Sequence, residues 1–247
     1  MDRGMYVSMT GAKQIMQAQA VNNNNIANAN TTGFRADTVE FTSNPIYGPG
    51  YATRVNAVAS DAGTDFSSGV LIDSQSSTDV AINGNGFIAV QGANGQEAYT
   101  RSGDLHVTAD GLLVTSGGQQ VLSESGPIIV PPATSVTIGG DGTVSVVPLG
   151  LSASAQSQID RIKLVNPSTK TLRKGSDGML YLKAGGKSPT DEAVTVIPGE
   201  LESSNVNAAM SLVNMIDLQR QYEFQIKSIN SADTNEQAAE RLMSATS

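Results

Sequence analysis

Ala208-Ala-Met-Ser-Leu-Val-Asn-Met-Ile-Asp-Leu-Gln-Arg-Gln-Tyr-Glu-Phe-Gln-Ile-Lys-Ser-Ile-Asn230 decides the fold, because its apolar residues recur at the spacing of one long helix. Ala208, Leu212, Met215, Tyr222, Ile226 and Ile229 follow at steps of four, three, seven, four and three, an a/d stripe broken at Gln219. Val213, Ile216 and Leu218 widen the stripe, and Ala232, Ala239 and Met243 carry it on thinly toward the C-terminus. No Pro or Gly follows Gly199. At about 1.5 Å per residue, a helix over the last forty-odd residues extends roughly 60 Å, more than a small domain needs for its own core. Such a helix needs a partner helix, and the candidate lies at the opposite terminus.

That candidate runs from Arg3 to about Asn28, where Met5, Met9, Ala12, Met16, Gln19, Asn23 and Ile26 alternate steps of four and three. Asp2 is placed to cap it. Three of the positions are Met, an adaptable packing residue, and two are amides. A thin stripe dotted with amides fits a helix packed at a subunit contact, although periodicity alone equally allows an amphipathic helix on one globular domain. The Asn22-Asn-Asn-Asn25 run and the following Asn28, Asn30, Thr31, Thr32 and Gly33 end the helix. Asn tolerates the left-handed conformation, Thr is β-branched, and Gly takes a positive φ without strain.

Between the helices the chain changes period. Residues 36–69 show none and contain Pro45, Gly48, Pro49 and Gly50, which reads as an extended connector on the surface. From Val70 to Pro198, short apolar runs such as Val80–Ile82, Phe87–Val90, Leu112–Val114, Ile128–Val130, Val136–Ile138 and Val144–Val147 alternate with turn signals. Further strands are expected at Arg161–Val165, Met179–Leu182 and Val194–Ile197. Asn94-Gly95, Asp110-Gly111, Asp141-Gly142 and Asp177-Gly178 supply the turns that tight hairpins need. The expected class is therefore α+β: two long terminal helices with an inserted antiparallel β domain. The segments are 1–35, 36–69, 70–200 and 201–247, and the hairpin signals are local enough that 70–198 is expected to fold alone.

Composition narrows the chemistry. Only 15% of residues are charged, aromatics are 4%, Cys and Trp are absent, and Gly reaches 25 residues, so Ser, Thr, Asn and Gln make the surface polar without strong charge. A weakly repelling surface of that kind suits packing against copies of itself. A net charge of −8 argues against nucleic acid and against an anionic membrane surface. No cleavable signal peptide and no run of about 18 apolar residues is visible. Without Cys there is neither a disulfide framework nor a thiolate metal site. His106 stands alone, and Gly84-Asn85-Gly86 precedes a strand, so it is a turn rather than half a dinucleotide fingerprint. Gly139-Gly-Asp-Gly142 occurs once, whereas calcium-binding glycine repeats stack in copies. Asp65, Asp73 and Asp79 read as solvated loop carboxylates, and no nucleophile is paired with a base. The expectation is no enzyme, no cofactor, no metal and no small-molecule substrate.

Asn25-Ile-Ala-Asn-Ala-Asn-Thr-Thr-Gly-Phe-Arg35 resembles the N-terminal signature of the bacterial flagellar axial proteins, the rod, hook and hook-associated subunits. Leu201-Glu-Ser-Ser-Asn-Val-Asn207, with Met215-Ile216, Gln219-Arg-Gln-Tyr-Glu223 and Lys227, resembles the C-terminal signature of that family, in the right order along the chain. Thr78-Asp-Val-Ala-Ile-Asn-Gly-Asn-Gly-Phe87, Tyr99-Thr-Arg-Ser-Gly103 and Asp110-Gly-Leu-Leu-Val-Thr115 resemble its middle domain. Leu105 departs from the Phe common there, which implies looser packing at that point.

The resemblance implies that the terminal helices form a coiled-coil-like inner domain around the axis of a tube. It implies rod subunits, of this and other kinds, and the flagellar type III export apparatus as partners, and a basal-body location reached without signal cleavage. Together with the stripes it assigns the assembly contacts to Met9, Met16, Asn25, Ile26, Asn28, Asn30, Thr31, Gly33, Phe34, Asn205, Val206, Asn207, Leu212, Met215, Ile216, Gln219, Arg220, Tyr222, Ile226 and Ile229. The Met1-Asp2-Arg3 opening, a length near 250 and the absence of a Leu-Leu-Tyr-Gln-like stretch after Phe34 favour a proximal rod subunit. A distal rod or hook subunit is the alternative within the family, and a secreted β-rich adhesin or hydrolase the alternative outside it.

Overall fold

The computed structural model describes residues 4–45, 55–60, 63–150 and 155–245. The expected cap Asp2 and the turn residues Gly48, Pro49 and Gly50 lie outside them. The chain forms two compact units: Met1–Ala29, Ala36–Asp65 and Val206–Ser247 make the first, Asn30–Arg35 and Phe66–Asn205 the second.

The first unit holds α1 (Gly4–Ala27), α2 (Ala208–Ala245) and a hairpin of β1 (Glu40–Pro45) and β2 (Val55–Ser60). Asn207 caps α2, its Oδ1 accepting the Met210 N–H at 3.0 Å. Near the start of α1 the Ser8 hydroxyl meets the Ser228 hydroxyl at 3.1 Å, and near its end Asn22 Nδ2 donates to the Ser211 carbonyl at 2.8 Å, so the two helices are antiparallel. The hairpin pairs Glu40 with Ser60 and Pro45 with Val55 and packs on α1 through β2. It lies where the sequence reads as an irregular connector. The described part of β1 is almost wholly exposed, so neither of its faces is marked by alternating apolar residues, and the usual strand signal is missing.

The second unit is all β. Its strands are β3 (Leu71–Asp73), β4 (Val80–Asn83), β5 (Phe87–Gln91), β6 (Glu97–Thr100), β7 (Leu105–Val107), β8 (Leu113–Thr115), β9 (Ala133–Ile138), β10 (Thr143–Pro148), β11 (Ser157–Arg161), β12 (Leu164–Val165), β13 (Leu172–Lys174), β14 (Leu180–Leu182), β15 (Thr195–Pro198) and β16 (Glu200–Glu202). A five-stranded antiparallel sheet in the order β12-β5-β6-β14-β13 is joined by the three-stranded β11-β10-β9 and by the ribbons β15-β4, β16-β3 and β7-β8. All four expected turn pairs close antiparallel neighbours, β5-β6, β7-β8, β9-β10 and β13-β14. In each the Gly has the left-handed φ that its turn requires, from +71° at Gly95 to +83° at Gly142.

Both faces of the central sheet are covered. Ile88 and Val90 point into a core shared with Leu113, Val144 and Ile162, while Phe87 and Ala89 point the other way onto Tyr99, Leu172 and Leu180. Phe66 closes that second face edge-on to Phe87, with ring centroids 6.3 Å apart.

Several expectations are corrected here. Ile128 and Val130 are buried, but the segment makes only isolated bridges such as Leu112 to Ile129 and no strand. Arg161–Val165 is not one strand, because the Ile162 and Lys163 amides donate to Gly142 and Leu122 instead of to a ladder. Leu105 is 1% exposed in the main core, so the packing there is tight, not loose. Asp79 is buried, and its carbonyl accepts the Gly199 N–H at 2.8 Å. His106 is exposed on β7, opposite Val114.

Candidate functional site

In the first unit the surface that matters is on the helices. The buried positions of α1 are Ala12, Ile15, Ala18, Asn22 and Asn25, one helical step away from the Met9–Met16 stripe read from sequence. On α2 the covered line is Ser211, Met215, Leu218, Tyr222, Gln225, Ile229 and Ala232, each three or four residues after the last. Gln225 packs at Gly11, where a Cβ would come within 3.3 Å of the Gln225 amide. The seam between the helices is thus built from small, amide and hydroxyl side chains with a few large apolar ones.

What the seam leaves out is apolar. Tyr6, Met9 and Met16 on α1 are 53–56% exposed, and Leu212, Ile216 and Phe224 on α2 are 50–70% exposed. Of the residues assigned to assembly, Met215, Tyr222 and Ile229 are half-buried in the seam, Ile226 is 36% exposed, and Gln219 and Arg220 face solvent. Asn25 is used inside the unit: its amide both donates to the Asp37 carbonyl at 2.8 Å and accepts the Asp37 N–H at 2.9 Å, as one strand does with another. Asn28 Nδ2 caps the Asn24 carbonyl at 2.9 Å. Ile26 and Val206 are half-buried.

The second unit brings three sequence motifs to one point. Glu202 is 1% exposed, and its two oxygens take separate guanidinium groups: Oε1 meets Arg35 at 2.6 Å and Oε2 meets Arg101 at 2.8 Å. Oε1 also accepts the Gly69 N–H at 2.8 Å. Arg101 donates Nε–H to the Gly86 carbonyl at 2.9 Å and a further N–H to the Gly84 carbonyl, with its guanidinium 5.6 Å from the Phe87 centroid. Gly33 donates to the Glu202 carbonyl at 2.7 Å and has φ +67°, and a Cβ there would strike the Arg101 backbone. Beside it, Lys174 Nζ sits 3.9 Å from the Phe34 ring centre and donates to the Arg35 carbonyl at 2.7 Å. Asn205 returns its N–H to the Phe34 carbonyl and its Nδ2 to the Ser67 carbonyl at 3.1 Å. Asn30 and Thr31 are exposed at the entrance to this clasp.

Sequence reading missed the clasp. A signal was present: Asn25–Arg35, Tyr99–Gly103 and Leu201–Asn207 each contain a single charged residue, and the three are Arg35, Arg101 and Glu202. Arg35 and Glu202, which lie outside 70–198, are both buried in the same compact unit. A second buried pair was missed as well. Lys163 Nζ spans both oxygens of Glu97 at 2.9 and 2.8 Å, and Tyr99 donates to Glu97 Oε1 at 3.0 Å while accepting the Ser188 N–H. Burial, joined by the Glu97 charge, pushes the Tyr99 hydroxyl up to about 12.

These charges are all tied to one another, which is structural use and not the arrangement of an acid, a base and a nucleophile around a cleft. Among the described residues no group of acidic, His or Cys side chains could hold a metal ion, and no helix is long and apolar enough to cross a membrane.

Three family models match the chain. Residues 5–35 match "Flagella basal body rod protein", 81–146 match "Flagellar hook protein FlgE/F/G D1 domain", and 197–242 match "Flagellar basal body rod FlgEFG protein C-terminal". Flagellar basal-body rod protein FlgF of Escherichia coli (strain K12) is 38% identical over 250 residues, covering 99% of both chains. The FlgF protein of Salmonella typhimurium is 36% identical with the same coverage, and FlgG of Bacillus subtilis (strain 168) is 34% identical over 94% of this chain and 95% of its own. With both chain ends and the β domain matched in order, and with such relatives aligned from end to end, the chain belongs to the flagellar basal-body rod FlgE/F/G family, in which it is FlgF-like.

Proposed function

We propose that this protein is a structural subunit of the proximal part of the flagellar basal-body rod, built into the rod by its terminal helices and transmitting torque from motor to hook. The observation that carries the reading is the double character of α1 and α2: a seam of small and polar residues within the chain, and outward rows of large apolar side chains that stay at least half exposed among the described residues. In this reading residues 1–35 and 201–247 form a coiled-coil-like inner domain, 36–69 a connector and 70–200 a middle domain. The outward rows, with Met9, Met16, Leu212 and Ile216 foremost, meet other rod subunits of the same and of neighbouring kinds. The full-length match to proteins named FlgF favours the proximal over the distal rod, and the chain travels by the flagellar type III export apparatus without cleavage. Burying one aliphatic side chain is worth about 1.5–3 kcal/mol, and each subunit repeats the contact with every neighbour.

The test is to place Ile216→Asp or Met9→Asp in the chromosomal copy and examine purified basal bodies. Folded protein that is absent from the rod, with loss of motility, is expected. Normal incorporation of both variants overturns the reading. Protein recovered from wild-type basal bodies is expected to begin at or beside Met1; a start twenty or so residues further in contradicts the export route.

A further inference from the structure

Charge in the second unit is sorted between the two edges of its central sheet. Six of the chain's 15 basic residues, Lys163, Lys170, Arg173, Lys174, Lys183 and Lys187, fall between 163 and 187, with Asp177 the one acid among them. The rest of the unit has 12 acids and three bases, and two of those bases, Arg35 and Arg101, are consumed in the clasp.

Lys163 is buried on Glu97 beside β12 and Lys174 is used in the clasp, and the other four basic residues lie at or next to the β13-β14 edge. Arg173, Lys183 and Lys187 are exposed around a cleft of about 380 Å³ that also takes in Gln96, Tyr181, Gly186 and Glu97, whose charge is met by Lys163. Arg173 is steadied over the Tyr181 ring, 6.0 Å from its centre. At the opposite edge lies β12, and what surrounds it is acidic. The Asp141-Gly142 turn accepts the Ile162 N–H just before β12, and the Asp191 N–H donates to Leu164 within it. Asp141 and Glu192 are exposed, and Asp160 and Asp191 half-exposed. The Thr143 hydroxyl and amide hold the Asp141 carboxyl below the usual carboxylate range, so it stays charged in any ordinary buffer. Of the two cations next to β12, Lys163 is buried and neutralised by Glu97, and Arg161 is bonded to the Asp141 carbonyl at 2.7 Å.

We propose that the basic β13-β14 edge of one copy docks on the acidic β12 edge of a second copy, a head-to-tail contact between β units. Charge complementarity selects the occupant: outside residues 163–187 the chain carries 22 acids and nine bases, so another copy of it offers the basic cleft an acidic surface. Because the two edges differ, the contact is heterologous, and repeated addition yields a ring or a helix, not a closed two-fold dimer. Opposite charges also steer each incoming edge toward its complement. The contact is separate from the outward helix rows and does not rest on them.

The experiment uses full-length protein and two reversed variants. In one, Arg173→Glu, Lys183→Glu and Lys187→Glu make both edges acidic; in the other, Asp141→Lys and Glu192→Lys make both basic. Each alone is expected to lose self-association by at least tenfold in sedimentation, and an equimolar mixture to regain it, since acidic edges then meet basic ones. Association of wild type is expected to fall at least tenfold from about 0.01 to about 1 M salt, where the Debye length shrinks from about 30 to about 3 Å. Repeating the series on the Ile216→Asp background separates this contact from the helix rows: a loss that follows only Ile216→Asp reports the helices. Wild-type association in either reversed variant, failure of the mixture to recover, or a cleft that binds heparin while association ignores the reversals overturns the proposal.

Discussion

In the second unit Ile88, Val90 and Leu113 are wholly buried, whereas in the first Met16, Leu212 and Phe224 leave half or more of their surface in solvent. The polar residues run the other way. The first unit spends the buried amides of Asn22 and Asn25 on the Ser211 and Asp37 backbone, while the second closes itself with a carboxylate held between two guanidinium groups. A domain that works alone keeps its largest apolar groups for itself. A domain that works in a stack keeps small and amide groups inside, where they allow close approach and fix register, and presents the large ones outward.

The comparison breaks first, if it breaks, in the core of the second unit. Val90→Asp puts an unpaired charge at a wholly buried site, and Glu202→Ala leaves Arg35 and Arg101 without their shared carboxylate. Removing one partner from a buried ion pair costs about 3–5 kcal/mol, so Glu202→Ala is expected to lower the denaturant midpoint of the second unit sharply. A melt of Glu202→Ala indistinguishable from wild type would mean that the clasp is ornamental and the unit closes by its apolar core alone.

Gly33 sharpens the same side of the comparison at a smaller scale. Its φ of +67° already strains any other residue, and a Cβ would come within 2.2 Å of the Arg101 backbone, so the chain there must shift. The φ alone costs about 1–2 kcal/mol, and with the clash Gly33→Ala is expected to lose more than that. Hydrogen exchange should report the loss at the Gly33 and Gly69 amides, both of which donate to Glu202. Equal protection in the variant would remove Gly33 from the clasp.

How much of this the sequence shows depends on range. The four hairpins were legible because Asn94-Gly95, Asp110-Gly111, Asp141-Gly142 and Asp177-Gly178 write their turns into two adjacent residues. The Arg35–Glu202 pair was not, because 167 positions separate its members and nothing local says that either charge is buried. The helices were legible as helices but only partly in their facing. Periodicity follows the most hydrophobic residues, and these divide: Met215, Tyr222 and Ile229 fall in the seam, whereas Met9, Met16 and Leu212 are exposed. On the N-terminal helix the seam shares Ala12 with the stripe read from sequence and otherwise runs through Ile15, Ala18 and Asn22, where a single large apolar residue among small and amide ones gives too little signal to be seen. The β1-β2 hairpin was invisible for the related reason that β1 buries almost nothing.

Alkaline pH gives a milder test of the second unit. Folding raises the Tyr99 hydroxyl from 10.0 to about 12, chiefly by burial, so the unfolded chain gives up this proton first. The contribution is whole below pH 10, declines as the pH climbs, and is gone at about 12. Tyr99→Phe should flatten that decline while lowering stability near neutrality, because the bonds to Glu97 and Ser188 go with the hydroxyl. An alkaline melting profile of the same slope in Tyr99→Phe and wild type would assign the decline to another group.

The smallest effect on folding is expected where the effect on the rod is greatest. Leu212 is 50% exposed and lies off the seam, so Leu212→Asp removes little buried area from the isolated chain and leaves its charge in water. Exposed substitutions away from caps and cores usually fall within about 0.5 kcal/mol of wild type, and the melt of Leu212→Asp should do so. Met215→Asp is its control one step along the same helix: Met215 is half-buried in the seam, so charge there should loosen α1 from α2 and depress the melt of the first unit as well. In a basal-body assembly assay both variants should fail, one with an intact monomer and one without. If Leu212→Asp destabilises the monomer as much as Met215→Asp does, the outward row is part of an internal core and the contrast between the two units disappears. If Leu212→Asp leaves the monomer intact and still assembles, the contrast stands, but the exposed apolar row is not what the rod uses.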